Sequence, residues 1–226
     1  MIVFEKVTKK FPLGNVALED VSFSIEEGEF VFLVGPSGAG KTTILKLILK
    51  ELIPTSGSIF IDDMDITDKS FSKILTLRRN LGVVFQDFKI LYDKNVFENV
   101  ALSLQVVEKY SFLEIKEKVR RALSIVGLAD KEKNFPIQLS AGELQRVAIA
   151  RAIVGERKII LADEPTGNLD PKTAWEIMKI FKKIEKEKTI LFATHNVDIV
   201  NSFQRRVLVL KNGKIIKDLR KGKYEF

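Results

Sequence analysis

The sequence predicts an α/β protein built on a parallel core sheet, and three patterns predict it. The first is a set of short runs that are apolar at every position: Phe30-Val31-Phe32-Leu33-Val34, Val83-Val84-Phe85, Ile159-Ile160-Leu161-Ala162 and Thr189-Ile190-Leu191-Phe192-Ala193. Strands covered on both faces read this way, as in a parallel sheet between helices. The second is helical periodicity between those runs. Ile115, Val119, Leu123 and Val126 recur at helical spacing and stop at Gly127, a natural C-cap. Residues 142 to 154 repeat the pattern, as do Ile177, Met178, Phe181 and Ile184. The third is apolar–polar alternation in Ile2 to Val7 and Val21 to Ile25, which predicts half-exposed antiparallel strands in an N-terminal β subdomain. Near the other end, Asn212-Gly213 between Val207-Leu208-Val209-Leu210 and Lys214-Ile215-Ile216 predicts a hairpin. Roughly residues 90 to 150 form a helix-rich insertion between two core strands, a subdomain within one domain spanning 1–226.

Composition narrows the class. The chain has 226 residues, 46% hydrophobic and 30% charged, enough for a sizeable core. Cysteine is absent, which excludes a disulfide framework and a thiolate metal site and fits a reducing cytosol. Charges at Glu5, Lys6, Lys9 and Lys10 stand where a signal peptide needs an apolar stretch, and no apolar run approaches the roughly 18 residues that cross a bilayer. The net charge of +7 has two readings, attraction to anionic lipid or nucleic acid and plain solvation. Basic residues are spread along helix faces, as in Lys182-Lys183 and Lys186-Glu187-Lys188, with one local excess from Lys211 through Lys223. No basic stripe is interleaved with aromatics, so a solvated surface is expected and a nucleic-acid partner is not.

The chemistry begins at Gly35-Pro36-Ser37-Gly38-Ala39-Gly40-Lys41-Thr42-Thr43, which fits the phosphate-cradling pattern G-x-x-x-x-G-K-[ST]. An apolar strand precedes it and a helix pattern follows it. That context places backbone N–H groups and the positive end of a helix dipole around one anion. Glycine lets the backbone approach a phosphate with no Cβ in the way. Lys41 is then expected at the β- and γ-phosphates and the Thr42 hydroxyl on Mg²⁺.

Two further segments narrow the reaction. The apolar strand ending in Asp163-Glu164 offers one carboxylate for Mg²⁺ and a second to polarise a water against a γ-phosphate. In Leu139-Ser140-Ala141-Gly142-Glu143-Leu144-Gln145-Arg146, Ser140 with Glu143 three residues on predicts a capping box. A capped helix start is also an anion site.

That last segment resembles the signature motif of the ATP-binding cassette (ABC) ATPases, usually Leu-Ser-Gly-Gly-Gln, from which it departs at Ala141 and Glu143. The resemblance runs in order along the whole chain. It implies the ABC nucleotide-binding domain: a P-loop NTPase with a RecA-like parallel core sheet, an N-terminal antiparallel β subdomain and an inserted helical subdomain carrying the signature. It also implies ATP and Mg²⁺ as cofactors, with Phe11 stacking on adenine and Thr42, Gln86 and Asp163 around the metal. Lys41, Gln86, Glu164 and His195 would carry catalysis, His195 being the only histidine. The segment Gly167-Asn168-Leu169-Asp170 matches the loop that crosses the family's dimer interface. Ser140 and Gly142 would reach the nucleotide of a second copy, so a homodimer closed by ATP is expected. Ala141 raises the question of whether the backbone there needs a positive φ.

Within the family, Leu77-Arg78-Arg79, Leu81 to Asp87, Lys133 to Ser140 and Ala162 to Asp170 resemble the cell-division cassettes. An integral membrane permease is the partner this implies, with the protein at the cytoplasmic face of the membrane. The Ala162 to Asp170 segment is shared with lipoprotein-release and macrolide-export cassettes, which remain the alternative. A soluble cassette acting on ribosomes or DNA commonly carries two P-loops, and one is present here. A scaffold that scarcely hydrolyses sits poorly with Asp163, Glu164 and His195 together.

Overall fold

The structure, a computed structural model, describes residues 1–12, 14–107 and 109–220, so the basic stretch from 221 to 223 lies outside the described residues. In chain order the first elements are β1 (Ile2–Lys10), β2 (Val16–Ile25), β3 (Phe30–Val34), α1 (Lys41–Ile48), β4 (Ser56–Ile61), β5 (Met64–Asp65) and α2 (Ile74–Asn80). Then come β6 (Leu81–Val84), α3 (Val96–Gln105), α4 (Phe112–Ile125), α5 (Ala141–Ile153), β7 (Ile159–Asp163) and α6 (Pro171–Ile184). The chain closes with β8 (Thr189–Thr194), α7 (Val197–Phe203), β9 (Arg206–Lys211) and β10 (Lys214–Leu219). These fall into two compact units, one formed by residues 1–78 and 188–226, the other by 79–187.

In the first unit an antiparallel sheet runs in the order β2-β1-β4-β5. Its alternation is visible along β1, where Ile2, Phe4 and Val7 are buried and Glu5 and Lys6 are exposed. A second group of strands is parallel: β3 pairs with β8 from Phe30↔Ile190 to Val34↔Thr194, and with β9 from Val31↔Arg206 to Val34↔Val209. All five residues of β3 and all six of β8 are buried, which is why neither run alternates. Phe30, Phe32, Phe192 and Phe203 pack their rings together there, Phe30 and Phe32 with centroids 4.9 Å apart. At Asn212 (φ 49°) and Gly213 (φ 74°) the chain makes the left-handed turn that a two-residue hairpin requires, and β10 returns antiparallel to β9.

In the second unit β6 and β7 are parallel, from Leu81↔Ile159 to Val84↔Ala162. Helices α3, α4 and α5 pack on one another, and α5 also packs on β6 and α6. The approach of α5 to β6 is close: a Cβ at Gly82 would sit 2.2 Å from the Ala152 carbonyl oxygen.

The α/β class, the antiparallel N-terminal strands, the parallel pairs, the three helices and the hairpin all follow the sequence expectation. Strands β4 and β5 and helices α2, α3 and α7 were not anticipated. A capping box that opens α3, Asn95 with Glu98, is nonetheless written in the sequence.

One ion cluster ties the parallel strands to the hairpin. The Arg206 guanidinium donates to both Asp218 carboxylate oxygens, at 2.8 and 2.7 Å, to the Ser24 carbonyl at 2.8 Å and to Glu29 at 3.1 Å. The Arg206 hydrogen bonds hold the Asp218 carboxyl below its usual range. A depressed carboxyl stabilises the fold above its unfolded pKa of about 4 and loses that contribution as pH falls. Arg206→Met is therefore expected to cost about 1–2 kcal/mol at pH 7 by thermal unfolding, with the deficit shrinking as pH falls below the unfolded carboxyl value of about 4. An unchanged Tm at pH 7 contradicts this.

Candidate nucleotide site

The first unit carries Phe11, the residue 35–43 loop and His195. The loop joins β3 to α1, and its backbone is wedged tightly. A Cβ at Gly35 would lie 2.1 Å from the Leu210 carbonyl oxygen, and one at Gly40 would lie 2.7 Å from that of Ala17. Gly40 also sits at φ 111° as the N-cap of α1, so glycine is required there twice over. No acidic side chain occupies the first turn of α1. Its positive end is therefore left for an outside anion. Lys41 is buried and curls back over the loop, its Nζ donating to the Gly35 and Pro36 carbonyls at 2.7 and 3.2 Å. Pro36, Ser37 and Gly38 are exposed, Ala39 is buried, and Thr42 and Thr43 open the helix.

Phe11 is half-buried and Lys9 Nζ lies 5.4 Å from its ring centroid. His195 is exposed immediately after β8. The backbone there is set by Asn196, whose N–H donates to Thr194 Oγ1 at 3.0 Å and whose side chain caps α7.

The second unit carries Gln86, Ser140, Gly142, Asp163, Glu164 and Asp170. Asp163 ends β7, and Glu164 follows in the left-handed region at φ 47°. A non-glycine residue in that region stores roughly 1–3 kcal/mol of strain, a cost that concentrates at functional sites. The turn is closed by the Gly167 N–H donating to the Glu164 carbonyl at 3.0 Å.

Gln86 is brought onto the loop that follows this turn. Its Nε2 donates to Asn168 Oδ1 at 3.3 Å, and Asn168 Nδ2 donates back to the Gln86 carbonyl at 3.2 Å. Asn168 is a functional candidate that no spacing pattern marks, an amide that pairs with a residue 82 positions away.

The signature segment forms the start of α5. The Ser140 hydroxyl accepts from the Glu143 N–H at 3.3 Å and donates to the Glu143 carboxylate at 2.9 Å, and that carboxylate accepts from the Ser140 N–H at 2.8 Å. Chiefly the backbone N–H bond holds the Glu143 carboxyl below its usual range. Ala141 is the first helical residue and takes no positive φ, so the alanine fits. Gly142 is needed for another reason: a Cβ there would fall 2.4 Å from the Thr173 methyl of α6. Asp170 caps α6 by accepting from the Thr173 N–H at 3.1 Å, and its bonds to Thr173 keep its carboxyl low.

A β-strand, a glycine-rich turn and an anion-receptive helix, together with a strand ending in two carboxylates, define a nucleotide-hydrolysing class. The family model described as ABC transporter matches residues 18–167. The chain is 47% identical over 225 residues to the cell division ATP-binding protein FtsE of Bacillus subtilis, covering 99% of this chain and 98% of that one. It is 44% identical over 227 residues to FtsE of Streptococcus pneumoniae, covering 100% and 98%. Among solved structures it is similar to an ATP-binding cassette seen as a dimer in a post-hydrolysis state bound to ADP and Pi, with a TM-score of 0.86, 36% identity and full coverage of both chains. The chain belongs to the ABC transporter family. Within that family it is one of the ATP-binding, ATP-hydrolysing cassettes.

Gly142→Ala is expected to push α5 away from α6 at a cost of about 1–3 kcal/mol, read by chemical denaturation. Removing the offending methyl in Gly142→Ala/Thr173→Ser should recover most of that loss. Failure of the second substitution to help refutes the packing explanation for this glycine.

Proposed function

We propose that this protein is a Mg²⁺-dependent ATPase that closes as a homodimer around two ATP molecules. We further propose that it drives a conformational change in an FtsX-like membrane permease to regulate cell-wall hydrolysis during cell division. The observation that carries this reading is whole-length similarity to FtsE proteins at 44–47% identity. The dimeric post-hydrolysis neighbour supports the two-copy arrangement. Among the described residues no helix is long and apolar enough to cross a membrane. A place at the cytoplasmic face would therefore come through the partner.

The roles follow from the chemistry of each group. Phe11 offers a ring face for adenine. Residues 35–43 hold the phosphates through backbone N–H groups and the α1 dipole, and Lys41 exchanges its two loop carbonyls for phosphate oxygens. Thr42, Gln86 and Asp163 supply oxygen donors, the hard ligands Mg²⁺ takes. Among the described residues no group of three or more His, Cys, Asp or Glu could hold a metal alone, which suits a cation shared with ATP phosphates. Once bound, Mg²⁺ neutralises charge on the phosphates. Glu164 accepts a proton from the attacking water, Gln86 orients that water, and His195 stabilises the γ-phosphate. In the partner copy Ser140 and Gly142, at the start of α5, present a second helix N-terminus to the same phosphates. Phosphate charge then joins the two copies, and hydrolysis releases them.

Glu164→Gln is expected to keep ATP binding, to slow phosphate release by about 100- to 10,000-fold, and to run as a dimer in ATP on size exclusion. Undiminished turnover in that variant refutes Glu164 as the base. Lys41→Ala should lose nucleotide affinity by calorimetry. Purification from native membranes should recover an FtsX-type permease; a lipoprotein-release permease in its place would overturn the cell-division role.

A further inference from the structure

The loop from Gln86 to Asn95 is gripped by three side chains, all within the second unit. At its far end the buried Asn99 of α3 accepts from the Leu91 N–H at 2.9 Å and donates to the carbonyls of Leu91, Lys94 and Asn95 at 2.9–3.0 Å. At its near end Asn168 pairs with both the side-chain amide and the carbonyl of Gln86. Between them the Arg151 guanidinium, from the last turn of α5, donates to the carbonyls of Phe88 at 2.6 Å and Lys89 at 2.5 Å. Phe88 (φ 59°) and Lys89 (φ 49°) both stand in the left-handed region, which two successive side-chain-bearing residues do not hold unaided. Arg151 is half-buried, and burial pushes its guanidinium down from its ordinary value.

We infer that Asn168 and Arg151 are positioning residues for ATP turnover, clamping the Gln86 loop so that the signature helix α5, Gln86 and the Glu164 turn are linked by an unbroken set of contacts. The path runs from Ser140 along α5 to Arg151, through Phe88 and Lys89 to Gln86, and from Gln86 through Asn168 to the turn closed on Glu164. The pairing takes one of the two Nε2 donors of the Gln86 amide on the Asn168 side and leaves Oε1 as the acceptor that can meet a water or a cation. Asn168 thereby fixes which face of the amide is offered. The inference rests on the role proposed above for Gln86.

The test is a double-mutant cycle joined to hydrogen exchange. Asn168 is exposed, so Asn168→Ala should fold normally. It is expected to lower kcat by about tenfold with the ATP KM within about twofold, as loss of a positioning bond does. Arg151→Lys keeps a cation but lacks the rigid planar fork that places separate nitrogens on the two carbonyls, and is expected to behave alike. Gln86→Ala/Asn168→Ala should be no slower than Gln86→Ala, because Asn168 acts only through Gln86. In nucleotide-free protein, exchange should quicken across residues 86–95 in both Asn168→Ala and Arg151→Lys while α4 is unchanged. Additive losses in the double variant, or unaltered exchange in the loop, overturn the clamp. If Gln86→Ala alone turns over at the parental rate, the proposed role of Gln86 fails instead, and the exchange data still decide the clamp.

Discussion

The constraint on which the proposed nucleotide site depends is how closely the backbone is packed around residues 35–43. Gly35 lies against the carbonyl of Leu210 at the end of β9, and Gly40 against that of Ala17 in β2. No side chain fits at either point, so the loop cannot relax into an ordinary turn. The constraint aims the start of α1 outward with no acid of its own to neutralise it. Strands β3, β8 and β9 hold the loop from below, and Arg206 ties β9 to β10 and to Glu29. The proposed anion binding is thus a property of the packing before it is a property of Lys41.

The second unit solves a different problem, that of holding strained backbone where chemistry is needed. Glu164, Phe88 and Lys89 all occupy left-handed conformations without being glycine. Each is over-determined by its neighbours: a turn hydrogen bond at Glu164 and the half-buried Arg151 guanidinium at the other two. The signature helix contributes at both ends, with a capping box at Ser140 and a grip on the Gln86 loop at Arg151. A helix anchored at both ends transmits displacement along its length, which is what the proposed ATP-closed dimer would need from it.

The fold was largely legible because its signals are local. Runs buried on both faces, helix periodicity ending at Gly127, and Asn212-Gly213 each describe themselves within a few residues. The capping box at Ser140 was legible for the same reason. Helix α3 was written just as locally, in Asn95 and Glu98, and was missed because its apolar face is short. What stayed hidden depends on partners far along the chain. The need for glycine at position 142 comes from one methyl of Thr173, and the grip of Arg151 on Phe88 spans 63 positions. Ala141 shows the converse: the sequence left open whether the backbone there needs a positive φ, and the residue is plainly helical, so alanine fits it.

The central claim is that residues 35–43 form half a site, completed by Ser140 and Gly142 of a second copy. Mixing two inactive variants tests it most directly. Lys41→Ala removes the cradle from one copy, and Ser140→Arg blocks the signature of the other. In a mixed dimer one of the two sites then has both parts intact, so ATPase should return on mixing to about a quarter of the parental rate. Two variants that stay inactive when mixed, or a Ser140→Arg protein that hydrolyses ATP normally by itself, would contradict the shared site.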